Sequence, residues 1–436
     1  MSFTPASYIA SSYLNDSIFQ IELPRIKFGL GATEELGYEI KRLGLKNVLL
    51  FVGTRMVEIK TYEKVYNIIK DNVEKVYTTS DIHIEPEDEA IIEAFKKVKD
   101  LKVDGFVALG GGSTIDTAKI INILYTYGGD LMDYVNKPIG KGLSPPGPLK
   151  PLIAIPTTAG TGSEATNVAI LDIKKLRLKT GISNPYIRPT VAIVDPLNSV
   201  TMPRMVTAST GLDVINHAIE SFTARPYTAR EKITNPAERP IYAGSTPIGD
   251  MFAIKAIEWV HNYLRRAVAT PYDIEARYYM MLAASIAGIG FGHAGVHVPH
   301  AMAYPIAGLV EKWYPPDYEF GYAITPHGIS TAIPAAYAFK YLAKFNPQKF
   351  LEVAKILGLQ LPDTQPKTIG EEIAEYYKNL LADLGIPTTL REIGFQPSQL
   401  DQLVDGTLAQ QRLLALAPKQ PITKEDLRII FSEALG

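Results

Sequence analysis

Gly105-Phe106-Val107-Ala108-Leu109-Gly110-Gly111-Gly112-Ser113-Thr114-Ile115-Asp116-Thr117-Ala118-Lys119-Ile120 is the stretch on which the fold turns. Its first five residues are almost continuously apolar, as a strand covered on both faces requires. Three glycines and a serine follow, and then a segment that reads as a helix. Glycines let the backbone turn tightly and come close to a ligand, and the free amides at a helix start point at an anion. The run is not the G-x-G-x-x-G fingerprint, so it reads either as a tight turn or as a cradle for a pyrophosphate.

The same alternation continues on both sides. Upstream, Asn47-Val48-Leu49-Leu50-Phe51-Val52 reads as a buried strand ending in Gly53-Thr54-Arg55. Helices are expected over Thr61 to Asp71 and Glu87 to Lys99, with a short strand over Val73 to Tyr77. Downstream, Pro138 to Pro151 is a loop, and Leu152-Ile153-Ala154-Ile155 a strand ending in a second loop, Thr157-Thr158-Ala159-Gly160-Thr161-Gly162-Ser163. Thr166 to Leu171 and Thr190 to Val194 complete the strand-like material. Strands alternating with helices predict a parallel sheet with helices on both faces, and ligands sit at the carboxyl ends of such strands. Residues 1 to about 25 read as an extension ahead of this core. Beyond Asp195-Pro196 the patterns are helical, so an α/β domain over 1–205 and an all-α domain over 206–436 are expected. Pro226 to Pro247 interrupts the helices as an ordered loop or insertion.

The second domain carries the histidines. The chain has seven, and five lie in two places. Asp213 and His217 are four apart, hence on one face if helical. His293, His297 and His300 stand at i, i+4 and i+7, again one helical face, and His327 follows in Thr325-Pro326-His327-Gly328. Imidazoles with one carboxylate suit Fe(II), Zn, Mn or Ni. Spacing alone does not choose among the histidines, since at most three are needed beside Asp213. His83 and His261 have no such context.

Composition narrows the alternatives. The 436 residues are 46% hydrophobic and 21% charged with a net charge of −2, which favours neither nucleic acid nor an anionic membrane as partner. The absence of cysteine excludes disulfides, thiolate metal sites and a cysteine nucleophile. No run reaches the roughly 18 apolar residues of a membrane span. The N-terminus has no secretory pattern, and a cytoplasmic protein is expected.

Taken together, Gly110-Gly111-Gly112-Ser113 with Asp116 and Lys119, the Pro156 to Glu164 loop, Asp213-x3-His217, and His300 followed by Thr325-Pro326-His327-Gly328 resemble the iron-containing (group III) alcohol dehydrogenases. The resemblance runs from about residue 25 to the end. It implies a dehydroquinate synthase-like architecture: an N-terminal α/β dinucleotide-binding domain and a C-terminal all-α metal-binding domain. It implies one divalent metal, iron first and Zn, Mn or Ni as alternatives, on Asp213, His217, His300 and His327. It implies NADP or NAD held by Gly53, Thr54, Arg55, Gly110, Gly111, Gly112, Ser113, Asp116, Thr157, Thr158 and Lys179. The activity implied is metal-dependent hydride transfer between alcohols and aldehydes or ketones by a homo-oligomer acting on a small molecule. The runs Asn235-Pro236-x2-Arg239-Pro240, Gly244-Ser245-x-Pro247-Ile248 and Ala287 to His297 are similar to a branch that passes hydride between a hydroxy acid and an oxo acid on a retained cofactor. A dehydroquinate synthase-like lyase is the more distant alternative. Two positions depart from the family pattern. Tyr304 stands where many members have a proton-handling histidine, leaving Tyr304 or His297 for that role. Gly53 stands where many NAD-specific members have an aspartate, which favours NADP(H). An anionic substrate calls for a cationic anchor, with Arg239 and Arg412 as candidates.

Overall fold

The structure, a computed structural model, describes residues 8–9, 12–176, 178–318 and 322–436. Backbone contacts divide the chain into two compact units. One comprises the described residues up to Ile21, Pro203–Pro271 and Ile289–Gly436; the other comprises Glu22–Met202 and Tyr272–Gly288. This differs from a single cut at 205/206 in two ways, each with a local cause. The N-terminal stretch belongs with the helices because buried Asp16 pairs with Arg230 and Arg239, both from the Pro226 to Pro247 insertion. The Tyr272–Gly288 stretch belongs with the sheet because Ser285 Oγ donates to buried Glu164 at 2.7 Å and Gly288 packs directly on Gly162.

The sheet unit contains six parallel strands: β1 (Arg25–Phe28), β2 (Asn47–Val52), β3 (Lys75–Thr79), β4 (Gly105–Gly110), β5 (Leu152–Pro156) and β8 (Val191–Val194), in the order β1-β8-β5-β4-β2-β3. Alternate residues of each central strand feed opposite cores. Leu49, Phe51, Phe106 and Ala108 join one cluster with Ile115 and Ile120, while Val48, Leu50, Val107 and Leu109 join the other with Ile40 and Val65. That is why β2 after Asn47, β4 and β5 carry no polar side chain and are legible in the sequence. Thr166 to Leu171 does not complete this sheet. β6 (Val168–Ile173) instead pairs antiparallel with β7 (Leu178–Ser183) in a separate hairpin. Register places Gly110 opposite Pro156 and Val52 opposite Leu109, so the loops after β2, β4 and β5 emerge side by side at the carboxyl edge.

The helical unit is built on Arg204–Thr223, buried along almost its whole length. Helices Pro247–Ala269 and His327–Leu342 pack against it. Among the described residues no single helix is long and apolar enough to cross a membrane.

Candidate active site

Asp213, His217 and Glu220 lie on one face of the Arg204–Thr223 helix, as spacings of four and three dictate. The expected single face of His293, His297 and His300 does not exist. The helix Ile274–Ala294 ends just after His293, a new helix starts at Val298, and their axes differ by 103°. Gly295 makes the break with φ +82°, and a Cβ there would meet Leu416 Cδ1 at 2.3 Å. Pro299 suits the first turn of the new helix. Only His300 is delivered to Asp213.

Asp213, His217 and His300 each offer a ligand atom, and these atoms lie within 4.8 Å of one another. Asp213 Oδ1 is 3.4 Å from His300 Nε2, 3.6 Å from His217 Nε2 and 3.8 Å from His327 Nε2. His327 borders the three-residue cluster and opens the His327–Leu342 helix behind Pro326. That helix comes very close to its neighbour: a Cβ on Gly328 would sit 1.8 Å from Ser209 O and 3.1 Å from Asp213 Cβ. Backbone cannot yield as a flexible side chain does. Gly328→Ala is therefore expected to destabilise the protein by about 2 kcal/mol or more and to move His327 away from Asp213. Thermal denaturation beside metal content tests this, and a wild-type midpoint with full metal content would contradict it.

Electrostatics favour a cation here. Burial alone would raise the Asp213 carboxyl, yet the imidazoles of His217, His327 and His300 hold it well below the usual carboxylate range. Burial lowers His217 to about 3, against the pull of Asp213. Burial also opposes charge on His300, but Glu220 and Asp213 outweigh it and lift His300 to about 9. Asp213 Oδ1 and His300 Nε2 are buried and have no hydrogen-bond partner. A buried carboxylate oxygen and a ring nitrogen left facing each other fit a metal ion, which would satisfy both.

Glu220 is the residue that sequence reasoning passed over. Its Oε1 is 2.5 Å from His300 Nδ1, and its Oε2 accepts from His297 N at 2.6 Å. It thus orients the imidazole that faces Asp213. The signal was present in its position three residues after His217 on the same face. Phe291 stacks on the His217 ring at 3.9 Å and fixes that ring too.

The structure gives His297 a structural use rather than a proton-handling one. Its Nδ1 accepts from Val298 N at 2.8 Å, so Nε2 carries the proton and lies 3.0 Å from Thr223 Oγ1. Burial lowers it to about 4, which keeps it neutral. His293 Nδ1 is 2.8 Å from the Ile289 carbonyl, His261 Nδ1 is 3.0 Å from Tyr376 Oη, and His83 is exposed. Tyr304 lies one turn beyond His300, its ring 6.3 Å from that of His327. Arg239 is spent on Asp16 at 2.7 Å, which withdraws it as a substrate anchor.

In the sheet unit the glycine run has a packing reason beyond the turn itself. A Cβ on Gly110 would meet Thr114 Oγ1 at 2.3 Å, and one on Gly112 would meet Thr161 Cγ2 at 2.5 Å. No side chain caps the first turn of the Gly112–Tyr127 helix, which leaves it suited to an anion. Gly111, Ser113 and Thr158 are half-buried beside it, and Thr157 N bonds Gly110 O at 3.0 Å, tying the two loops together. Asp116 is held by the protein itself. It is buried, accepting from Ser163 Oγ and, at 3.0 Å, from Ile170 N. Lys119 similarly donates to Ser163, Thr166 and the Val168 carbonyl. These two residues fix the second loop against the helix. Lys179 is buried and ion-paired with Glu85, with Asp172 at 3.9 Å. Thr54 Oγ1 donates to Ser80 O at 2.8 Å, Gly53 ends β2 with no side chain, and the Arg55 side chain lies outside the described residues.

Comparison with known proteins identifies the family. The family described as iron-containing alcohol dehydrogenase matches residues 24–196, and the Fe-containing alcohol dehydrogenase family, C-terminal, matches 207–435. The mitochondrial hydroxyacid-oxoacid transhydrogenase of Bos taurus is 41% identical over 430 residues, 98% of this chain and 91% of that protein. Its Homo sapiens counterpart is 39% identical over 427 residues, 98% of this chain and 91% of that protein. Among solved structures, a 1,3-propanediol oxidoreductase superposes with a TM-score of 0.83 at 26% identity, covering 96% of this chain and 100% of its own. A sulfoacetaldehyde reductase from Bifidobacterium kashiwanohense in complex with NAD+ gives 0.78 at 26% identity, covering 96% and 99%. The expected cytoplasmic location is overturned by the transhydrogenases, which are named as mitochondrial proteins. With these matches spanning both units, the chain belongs to the iron-containing alcohol dehydrogenase family and is a metal-dependent, nicotinamide-linked oxidoreductase that interconverts alcohols with aldehydes or ketones.

Proposed function

We propose that the hydride passes, in this chain, between a hydroxy acid and an oxo acid on one retained nicotinamide, at a metal held by Asp213, His217, His300 and His327. The pair of buried, partnerless atoms, Asp213 Oδ1 and His300 Nε2, carries the site assignment. Identity of 39–41% to transhydrogenases over nearly the full chain favours the hydroxy-acid branch. An N/O donor set of this kind suits iron, with zinc, manganese or nickel as alternatives. When bound, the metal supplies a Lewis acid for the substrate oxygen, and the nicotinamide takes or gives the hydride.

The protein's own groups do the rest. Glu220 and Phe291 hold the His300 and His217 rings in place. Tyr304 handles the substrate hydroxyl proton: its phenol gives a proton to the carbonyl oxygen during reduction, and the phenolate so formed takes one back from the hydroxyl during oxidation, since His297 has both nitrogens engaged. The amides at the start of the Gly112–Tyr127 helix receive the pyrophosphate, flanked by Gly110, Gly111, Ser113, Thr157 and Thr158. Lys179, Thr54 and Arg55 remain cofactor-side candidates. Gly53 puts no carboxylate after β2 to repel a 2′-phosphate, so NADP(H) is expected to bind at least as tightly as NAD(H).

The test is a substrate panel of short alcohols and hydroxy acids, each run with and without an oxo acid. Transhydrogenation predicts turnover without added nicotinamide only when hydroxy acid and oxo acid are both present. Equally fast net NAD(P)H formation from a simple alcohol alone would leave a plain dehydrogenase. Tighter NAD+ than NADP+ binding in the same preparation would refute the Gly53 argument.

A further inference from the structure

Arg412 lies on the short helix Gln411–Leu414 and is half-buried. Its Cζ lies 6.0 Å from the centre of the Tyr242 ring, and its short helix packs on Val298–Leu309, the helix that carries His300 and Tyr304. Tyr304 leads straight to the metal cluster, being one turn from His300 with its ring 6.3 Å from the His327 ring.

The position of Tyr242 is fixed by backbone. Ala243 N donates to His293 O at 2.6 Å and Gly244 N to Ala294 O at 3.1 Å, so the insertion is laced to the helix break. A Cβ on Gly295 would stand 3.0 Å from Tyr242 Cγ and 2.3 Å from Leu416 Cδ1, which locks insertion, break and Arg412 segment together. A guanidinium has five N–H donors in a planar fork. Among the described residues no carboxylate is paired with Arg412, so that fork is open to a planar anion. Arg230 and Arg239, by contrast, share Asp16. A half-buried guanidinium beside Tyr242, on a helix packed against that of His300, lacks a counter-charge, and a carboxylate supplies one in bidentate geometry.

We propose that Arg412, positioned by Tyr242, is the carboxylate anchor of the substrate and thereby selects hydroxy acids and oxo acids over uncharged alcohols and aldehydes. This rests on the hydroxy-acid reading above.

The experiment compares wild type, Arg412→Gln, Arg412→Lys and Tyr242→Phe as metal-loaded enzymes. Each is assayed on short unbranched hydroxy acids and on the 1-alkanols of the same lengths. Binding of the unreactive carboxylates propionate and butyrate is measured by calorimetry. Arg412→Gln should raise KM for the hydroxy acids by about 10- to 100-fold, far more than for the alkanols, and lose carboxylate binding. Arg412→Lys should recover part of both, and Tyr242→Phe should raise hydroxy-acid KM by a smaller factor. Should Arg412→Gln fail to fold, the lysine and phenylalanine variants carry the comparison, and equal losses on both substrate classes in them would overturn the anchor. A wild-type enzyme with no preference for hydroxy acids over alkanols would refute the hydroxy-acid reading itself. A preference that survives in Arg412→Gln, with carboxylate binding intact, would refute the anchor alone.

Discussion

Asp213→Ala is expected to reduce kcat/KM for alcohol oxidation by about three orders of magnitude or more, the several kcal/mol that a Lewis acid contributes to the transition state. Asp213 is the only carboxylate in the buried three-residue cluster, and all three imidazoles close on its Oδ1 within 3.4–3.8 Å. Without it, His217, His300 and His327 face one another with no negative charge to balance a dication. The fold should survive. The carboxylate is held against a burial penalty and its Oδ1 makes no hydrogen bond, so its loss leaves no protein partner stranded at that oxygen. Metal per chain, kcat/KM and the thermal midpoint should be read on the same sample. Activity within tenfold of wild type would sink the assignment of Asp213.

Glu220→Gln is expected to weaken metal binding by about 10- to 100-fold, the usual cost of losing a group that orients a ligand. The amide can still accept from His297 N, but its NH2 end cannot accept from His300 Nδ1–H as the carboxylate does. The His300 ring then loses the bond that fixes its tautomer and the charge that makes it a strong donor. The loss should appear as a higher metal concentration for half-maximal activity, with activity largely recovered at saturating metal. A merely structural Glu220 would lower the thermal midpoint without moving that metal dependence.

The legible and illegible parts of the chain separate along physical lines. β2, β4 and β5 are buried on both faces and, Asn47 at the start of β2 apart, carry no polar side chain, so the sequence announces them. β1 and β7 contain Arg25, Lys27, Lys179 and Gly181, and neither has that signature. β1 is an edge strand, and β7 belongs to a two-stranded hairpin. Asp213 and His217 were readable because they share one unbroken helix. The later histidines were not, because small and apolar residues run through the break at Gly295 and hide it from periodicity; Gly295 and Pro299 were the available clues. The resemblance to a family, not spacing, selected His300 and His327 over His293 and His297. It also carried Asp116 into the nucleotide set, whereas the folded chain buries that carboxylate between Ser163 and Ile170. Burial of this kind depends on strands far apart in sequence and leaves no local trace.

On the proposed reading, turnover depends on one divalent ion at the Asp213 cluster. Exhaustive chelation followed by anaerobic titration with Fe(II) tests it most directly, with activity and bound metal followed together. The expected result is inactive, folded apoprotein that regains activity in proportion to metal and saturates at one ion per chain. Full turnover by chelated protein with no detectable metal would contradict the account.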